Sequence, residues 1–314
     1  VKLIGDPHLG RKFERGVPIH RRGEREAMQL EQFKRELQPD GHDTVVMVGD
    51  LFDHPYVGYG VVLAAAEAVR EAALRCSSVD YVMMAGNHDE PRNLDARSAF
   101  DVFEQLMDGI ENVEVVRHWP LSRGNRVFHP WNWSKSALDL VGDFSDIRVT
   151  DVVGHWDLQS YGGDDSHICP TARLKELYPN AEIHSGHYHL PGDYEVDGVT
   201  VHCTGSMQPY THAEDPDGKL YVTLTLAEYE AQKDTLREKC VRLLLEPDEA
   251  LPESWDCLSL TAKREKESRT SEQPAVGTFD WGKIIEKALK PLTPPVRGFI
   301  EEKLQEYQPE NEDA

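Results

Sequence analysis

Cationic side chains are scarce: 34 Lys and Arg stand against 56 Asp and Glu, leaving a formal charge of −22 over 314 residues. A surface that tracks nucleic acid unaided works by displacing counterions from phosphates, which requires concentrated positive charge. The balance therefore excludes a uniformly basic DNA-coating protein. It leaves a substrate that is not a polymer, a partner that supplies the positive surface, or a local basic stripe hidden by the average. Cysteine is sparse as well. Cys76, Cys169, Cys203, Cys240 and Cys257 have no close paired spacing, which argues against a disulfide framework or a thiolate zinc site and fits a reducing cytoplasm. No apolar run reaches the roughly 18 residues that a spanning helix needs, and the opening Val1–Ile4 is too short for a secretory signal. No membrane association is expected.

What is present is an alternation of short apolar runs with longer amphipathic ones, the pattern of layered α/β units. Five of the runs end at a glycine followed by polar residues. Val1–Ile4 leads into GDPHLG, Thr44–Val48 into GDLFDH, Tyr81–Ala85 into GNHDEP, Asp151–Val153 into GHWDL and Glu182–Ser185 into GHYHL. Strand ends are where open α/β sheets bind ligands, and Gly5, Gly49, Gly86, Gly154 and Gly186 let the chain turn there. Helical spacing joins Ala27, Leu30, Phe33 and Leu37, then Val61, Val62, Ala65, Ala68, Val69 and Ala72. A further helix is expected from about Ser98 to Met107. From Asp197 to about Leu245 the alternation becomes β-like, in Leu220, Val222, Leu224 and Leu226 and again in Val241, Leu243 and Leu245, which predicts a second sheet packed on the first. The expected class is α/β: a two-sheet β-sandwich flanked by helices over residues 1–245, a polar linker or reduced capping region over 246–277, a tethered pair of helices over 278–308 and an acidic tail over 309–314.

The five strand ends carry hard and borderline metal donors. Asp6 and His8 lie two apart, so both side chains can point one way, and His187 and His189 repeat that spacing. Asp50, Asp53, Asn87, His88 and Asp89 sit in tight turns where helix capping is the ordinary role of such residues, and His155 alone would be read as a core imidazole. Each is uninformative by itself. Together they supply what a pair of divalent cations needs to clamp a phosphate and activate water. Trp131 and Trp133 with Phe128 are expected in the core rather than as a base-stacking platform.

The ordered set GDPHLG, GDLFD, GNHD, GH and GHYH resembles the calcineurin-like metallophosphoesterase superfamily over about Val1 to Pro209. Within it, Asp-x-His-Leu-Gly and GDLFD are similar to the nuclease subunit of double-strand-break repair complexes, the SbcD type; GHWDL and the paired C-terminal helices resemble the recombination endonuclease subunit of tailed phages. The resemblance implies that Asp6, His8, Asp50 and His189 hold one ion and Asp50, Asn87, His155 and His187 the other, manganese in both, with Asp50 as the bridge. It also implies that His88 protonates the departing sugar oxygen and that Asp53 orients the His88 ring.

The function implied is that of a metal-dependent DNA exonuclease and single-strand endonuclease, the catalytic subunit of an SbcCD-like recombination and repair complex. The partner implied is an ABC-type ATPase with a coiled coil, gripped by Ile284, Ile285, Leu289, Phe299, Ile300 and Leu304, in a heterotetramer built on a homodimer of the nuclease. The location would be the cytoplasm, of the host if the chain is phage-encoded. Arg11, Lys12, Arg15, Arg21 and Arg22, with Arg25, form a basic cluster that could meet DNA. The alternative on the same fold is a phosphatase or nucleotide phosphodiesterase for a small ester. Protein phosphatases of the superfamily place Arg-Gly and Glu where this chain has His54 and Asp89, which disfavours that branch. A non-catalytic scaffold is disfavoured by the complete ligand set. Two departures stand out: relatives insert a folded capping domain where this chain has 246–277, and Pro7 replaces the usual aromatic residue.

Overall fold

A computed structural model describes residues 1–93, 95–160 and 163–264. The compact unit is Val1–Arg264. The expected helix pair, with Ile284, Ile285, Leu289, Phe299, Ile300 and Leu304, and the acidic tail lie outside the described residues.

The first half of the unit alternates strand and helix. In chain order it runs β1 (Lys2–Ile4), α1 (Glu24–Glu36), β2 (Thr44–Met47), α2 (Tyr59–Arg75), β3 (Asp80–Met84), α3 (Ala99–Met107) and β4 (Val113–Val116), and the four strands form one parallel sheet in the order β1-β2-β3-β4. The central strands β2 and β3 are apolar and buried beyond their opening Thr44 and Asp80 because both faces are covered. Val45 and Met47 turn towards the helices, where Phe33, Val69 and Phe103 meet them, while Val46 and Val48 turn the other way against Phe128 and Val153 of the second sheet. α3 begins where expected, with Ser98 and Asp101 forming a reciprocal cap.

The second sheet is built from β5 (Leu121–Arg123), β6 (Arg126–His129), β7 (Asp151–His155), β8 (Glu182–Gly186), β9 (Gly192–Val196) and β10 (Val199–Cys203), in the order β5-β6-β7-β8-β10-β9. The helix α4 (Thr171–Leu177) covers its outer face, with Leu174 packed among Val152, Ile183 and Val201. The two-sheet sandwich flanked by helices is thus the observed architecture, but its second layer has a different origin from the one expected. The strands of the fourth and fifth motifs belong to it. Residues 220–245 instead build a third, small parallel sheet, β11 (Tyr221–Thr225), β12 (Cys240–Leu245) and β13 (Ser259–Arg264), backed by α5 (Leu226–Gln232). The linker expected from 246 is corrected accordingly. Its first part returns to pair β13 with β12 and buries Cys257, Leu258 and Leu260, a short apolar patch obscured by its charged flanks.

α1 corrects a second expectation. Ala27 is exposed and Leu30 half-buried; the inward face is Arg25, Gln29 and Phe33, followed by Leu37. Polar groups face inward because the helix backs the first motif loop. Gln29 Nε2 donates to the carbonyls of Pro7 at 2.8 Å and His8 at 3.0 Å, and Arg25 donates to Gln208 Oε1 at 2.7 Å.

The third motif is anchored from β4. Arg117 is buried and pairs with Glu90 and with the α3 cap residue Asp101, its Nη2 donating to each at 3.0 Å. Removing the cation would leave two buried carboxylates facing one another. Arg117→Ala should therefore lower the unfolding free energy by about 3–5 kcal/mol in urea titrations, and a loss below about 1 kcal/mol would show that the pair is dispensable.

Candidate metal centre

The C-terminal ends of β1, β2 and β3 in one sheet and of β7 and β8 in the other converge, so five loops deliver side chains to one spot. Three residues there adopt left-handed backbone that side chains seldom take: His8 at φ 46°, Asp50 at φ 52° and His187 at φ 73°. Such conformations persist only where the surroundings enforce them. Space is equally constrained. A Cβ on Gly86 would fall 2.1 Å from Asp50 Oδ1, and one on Gly49, at φ +119°, would fall 2.1 Å from His155 Nδ1.

Asp50 is the shared element. Its Oδ1 accepts from the His88 amide at 2.8 Å, and its Oδ2 lies 3.7 Å from His8 Nε2 and 3.5 Å from His155 Nε2. On one side Asp6, His8 and His189 gather, and on the other His155 and His187 join Asp50, each set with its donor atoms within 4.8 Å of one another. Asn87 Oδ1 is 3.0 Å from His155 Nε2 and 2.9 Å from His187 Nδ1. His8 Nε2 and His189 Nε2 face each other at 3.0 Å. All seven residues proposed as ligands are therefore in one place.

In three of the four rings the far nitrogen fixes which nitrogen faces the centre. His155 Nδ1 is 2.9 Å from the Val48 carbonyl, His187 Nε2 is 2.7 Å from Asp157 Oδ1 and His189 Nδ1 is 3.4 Å from Glu214 Oε2, whereas His8 Nδ1 has no hydrogen-bond partner among the described residues. These partners orient imidazoles as the outer groups of metal sites do. Asp157 and Glu214 were not anticipated. Asp157 stands two residues beyond His155 in GHWDL and was open to the same two-apart reasoning; nothing in the sequence marks Glu214. Asp89 braces two loops by accepting the amides of Gly86 at 2.9 Å, Leu51 at 3.1 Å and Phe52 at 2.9 Å. Trp131 is buried as expected, but it also stacks on His187 with ring centroids 5.4 Å apart.

The donor set fits a pair of divalent cations on electrostatic grounds. Asp6 Oδ1 is buried with nothing to accept from, an arrangement that a cation would satisfy. Burial, reinforced by the nearby Asp50 charge, lifts the Asp6 carboxyl to about 8. Burial would lift Asp50 too, but the imidazole of His155 more than offsets it and holds that carboxyl below its usual range. The His8 ring is pushed down to about 3 by burial, which keeps it neutral with a lone pair to offer.

His88 lies beside this set with its ring edge-on to His8 at 4.8 Å. Its Nδ1 is 2.6 Å from the main-chain carbonyl of Asp53. The expected orienting role of Asp53 is corrected in this detail, because its carboxylate turns instead towards Arg11 at 3.4 Å and His8 at 3.8 Å.

A calcineurin-like phosphoesterase sequence model matches residues 1–191, more than half of the chain. The chain belongs to that family. Calcineurin-like phosphoesterases are metal-dependent phosphoester hydrolases with dinuclear centres, and the two His and Asp groups flanking Asp50 are where this phosphoesterase could hold its ions. No curated protein matches the chain. No helix among the described residues is long and apolar enough to cross a membrane.

The basic cluster divides. Arg11, Lys12 and Arg15 line a groove of about 710 Å³ with Arg242 and Lys263 of the third sheet. Arg21 does not face solvent. It is 2 % exposed and donates to the carbonyl of Asp256 at 2.6 Å and to Glu24 at 2.9 Å, so it ties the loop to the third sheet. Arg25 is likewise buried, and Arg22 is exposed but outside the groove.

Metal binding should release protons. Below about 8 the Asp6 carboxyl keeps its proton, which a cation must displace, so affinity rises with pH up to that value and falls below it. For the metal-free protein the sign is opposite: between 3.8 and about 8 the folded chain holds this proton and the unfolded chain does not, so rising pH removes stability. Manganese titrations by calorimetry near neutral pH, in two buffers of different ionisation enthalpy, should give different heats; equal heats would contradict the protonated Asp6.

Proposed function

We propose that this phosphoesterase is a DNA nuclease, cutting phosphodiester bonds as an exonuclease and as an endonuclease on single strands, within an SbcCD-like recombination and repair complex. The observation that carries the reading is the basic groove. Across the third sheet, Thr223, Arg242 and Thr261 stand in register, with Lys263 two residues further along β13. Arg11, Lys12 and Arg15 line the same groove, and among the described residues Glu14 is its only carboxylate. An acid-poor strip on a chain of net charge −22 is the local stripe that a phosphate backbone needs. It meets the metal centre at Arg11, whose guanidinium lies 3.4 Å from Asp53 and 4.8 Å over the Tyr210 ring. A small ester has no use for so long a track.

When bound, the two cations supply Lewis acidity and an activated water. The chain does the rest. Asp6, Asp50, Asn87 and the four ring nitrogens fix the cations' place, and Asp157 and Glu214 keep the rings from turning. His88 has Nδ1 committed to the Asp53 carbonyl, which leaves Nε2 to hand a proton to the departing sugar oxygen. The ATPase partner belongs to the same proposal, with residues 278–308 as its grip. Deleting them should end co-purification with that ATPase while sparing single-strand cleavage, and persistence of the complex would rule out the grip.

Two variants test the chemistry and the substrate. His88→Ala should lower kcat by about 10²–10⁴-fold with bound manganese unchanged; undiminished cleavage would remove His88 from the mechanism. The double variant Arg242→Glu, Lys263→Glu should raise KM for oligonucleotides and flatten its salt dependence, while hydrolysis of bis(p-nitrophenyl) phosphate stays as in the wild type. A wild-type protein that hydrolyses the small ester and leaves oligonucleotides intact would defeat the nuclease reading and favour a small-ester phosphodiesterase.

A further inference from the structure

A second set of metal donors lies on the second sheet, sharing no residue with the centre described above. Asp151 opens β7 and Glu182 opens β8, the two being direct neighbours across the ladder, and His184 follows Glu182 by two residues on the same face. That face looks towards the first sheet, since Val153, two beyond Asp151, packs in the core between the sheets. Asp151 and His155 are four residues apart along one strand, so this set sits about 13 Å from the His155 end of β7.

The donor atoms are already close. His184 Nε2 is 3.6 Å from Asp151 Oδ1 and 3.7 Å from Glu182 Oε2. Zinc bonds of about 2.0–2.2 Å at tetrahedral angles put neighbouring donors about 3.3–3.6 Å apart, so a small rotation closes the difference. His184 Nε2 is buried and has no hydrogen-bond partner. Asp151 is held by its other oxygen, which accepts from the Thr150 hydroxyl at 2.6 Å and lies 3.6 Å from Arg126 Nε, so Oδ1 is aimed at His184. His202 is the cross-strand neighbour of His184 on β10, with ring centroids 5.4 Å apart. Its Nδ1 is 2.7 Å from Asp193 Oδ1.

We propose that Asp151, Glu182 and His184 form a separate site for a borderline divalent cation, zinc in the first instance, with water completing its shell. Bound there, the ion links β7 and β8 and acts as a clamp on the strands that lead to His155 and His187. It takes no part in hydrolysis.

The test uses the full chain, stripped of metal and dialysed against micromolar zinc, with bound metal counted by mass spectrometry. Glu182→Gln and His184→Ala should each hold one zinc fewer than the wild type, with affinity at that site reduced at least about tenfold. Equal counts in all three proteins would overturn the site. The Asp50→Ala protein removes the bridging carboxylate of the other centre and so separates the two. It should still take up cobalt with the visible absorption of a four-coordinate ion, and lose that band when Glu182→Gln is added. Absence of the band in Asp50→Ala, or its survival in the double variant, would refute the proposal even if His184→Ala fails to fold.

Discussion

Two buried carboxylates, Asp6 and Asp50, govern the rest of this structure. Each is essentially without solvent, and Asp6 keeps one oxygen with no donor at all. Charges in such a place are tolerated only when paired. Among the described residues no Lys or Arg pairs with them. It surrounds them with imidazoles and an amide, groups that leave lone pairs rather than positive charge at the centre. A cation is the counterpart that this arrangement lacks among its own side chains, and the family's dinuclear chemistry supplies two.

The fold is arranged to hold that unstable grouping. Parallel strands with both faces covered are stiff, and their ends present loops at fixed spacing. The left-handed turns at His8, Asp50 and His187 and the missing side chains at Gly49 and Gly86 let the loops close on one another. Behind them stands a layer with no contact to the reaction: Gln29 under the first loop, Asp89 between the second and third, and Arg117 holding Glu90. Rigid placement of this kind is what electrostatic catalysis requires, since donors that must reorganise during reaction lose their advantage.

Most of this centre was legible in the sequence because each motif joins two signals, an apolar strand and a polar turn, and because seven Asp, Asn and His residues occur at such turns together. The third sheet was less legible. Its strands alternate as expected, but β13 lies beyond a charged stretch, and nothing local says that Val241 will pair with Leu260. Arg21 and Arg25 show the limit of reading charge from composition. In sequence they continue the run begun by Arg11, yet a one-turn helix and the start of α1 rotate them inward, where main-chain carbonyls and Gln208 take up their donors. Glu214 was unreadable for the same reason: its role exists only once the loop after Tyr210 folds back against His189.

Against an excess of acidic residues, Arg11, Lys12, Arg15, Arg242 and Lys263 gather along one groove beside the first motif loop. Anomalous scattering from a crystal soaked in manganese would show whether Asp50 stands between two cations. Two peaks about 4 Å apart, one beside Asp6, His8 and His189 and the other beside Asn87, His155 and His187, are the expected result. A single peak, or none within reach of Asp50, would contradict it.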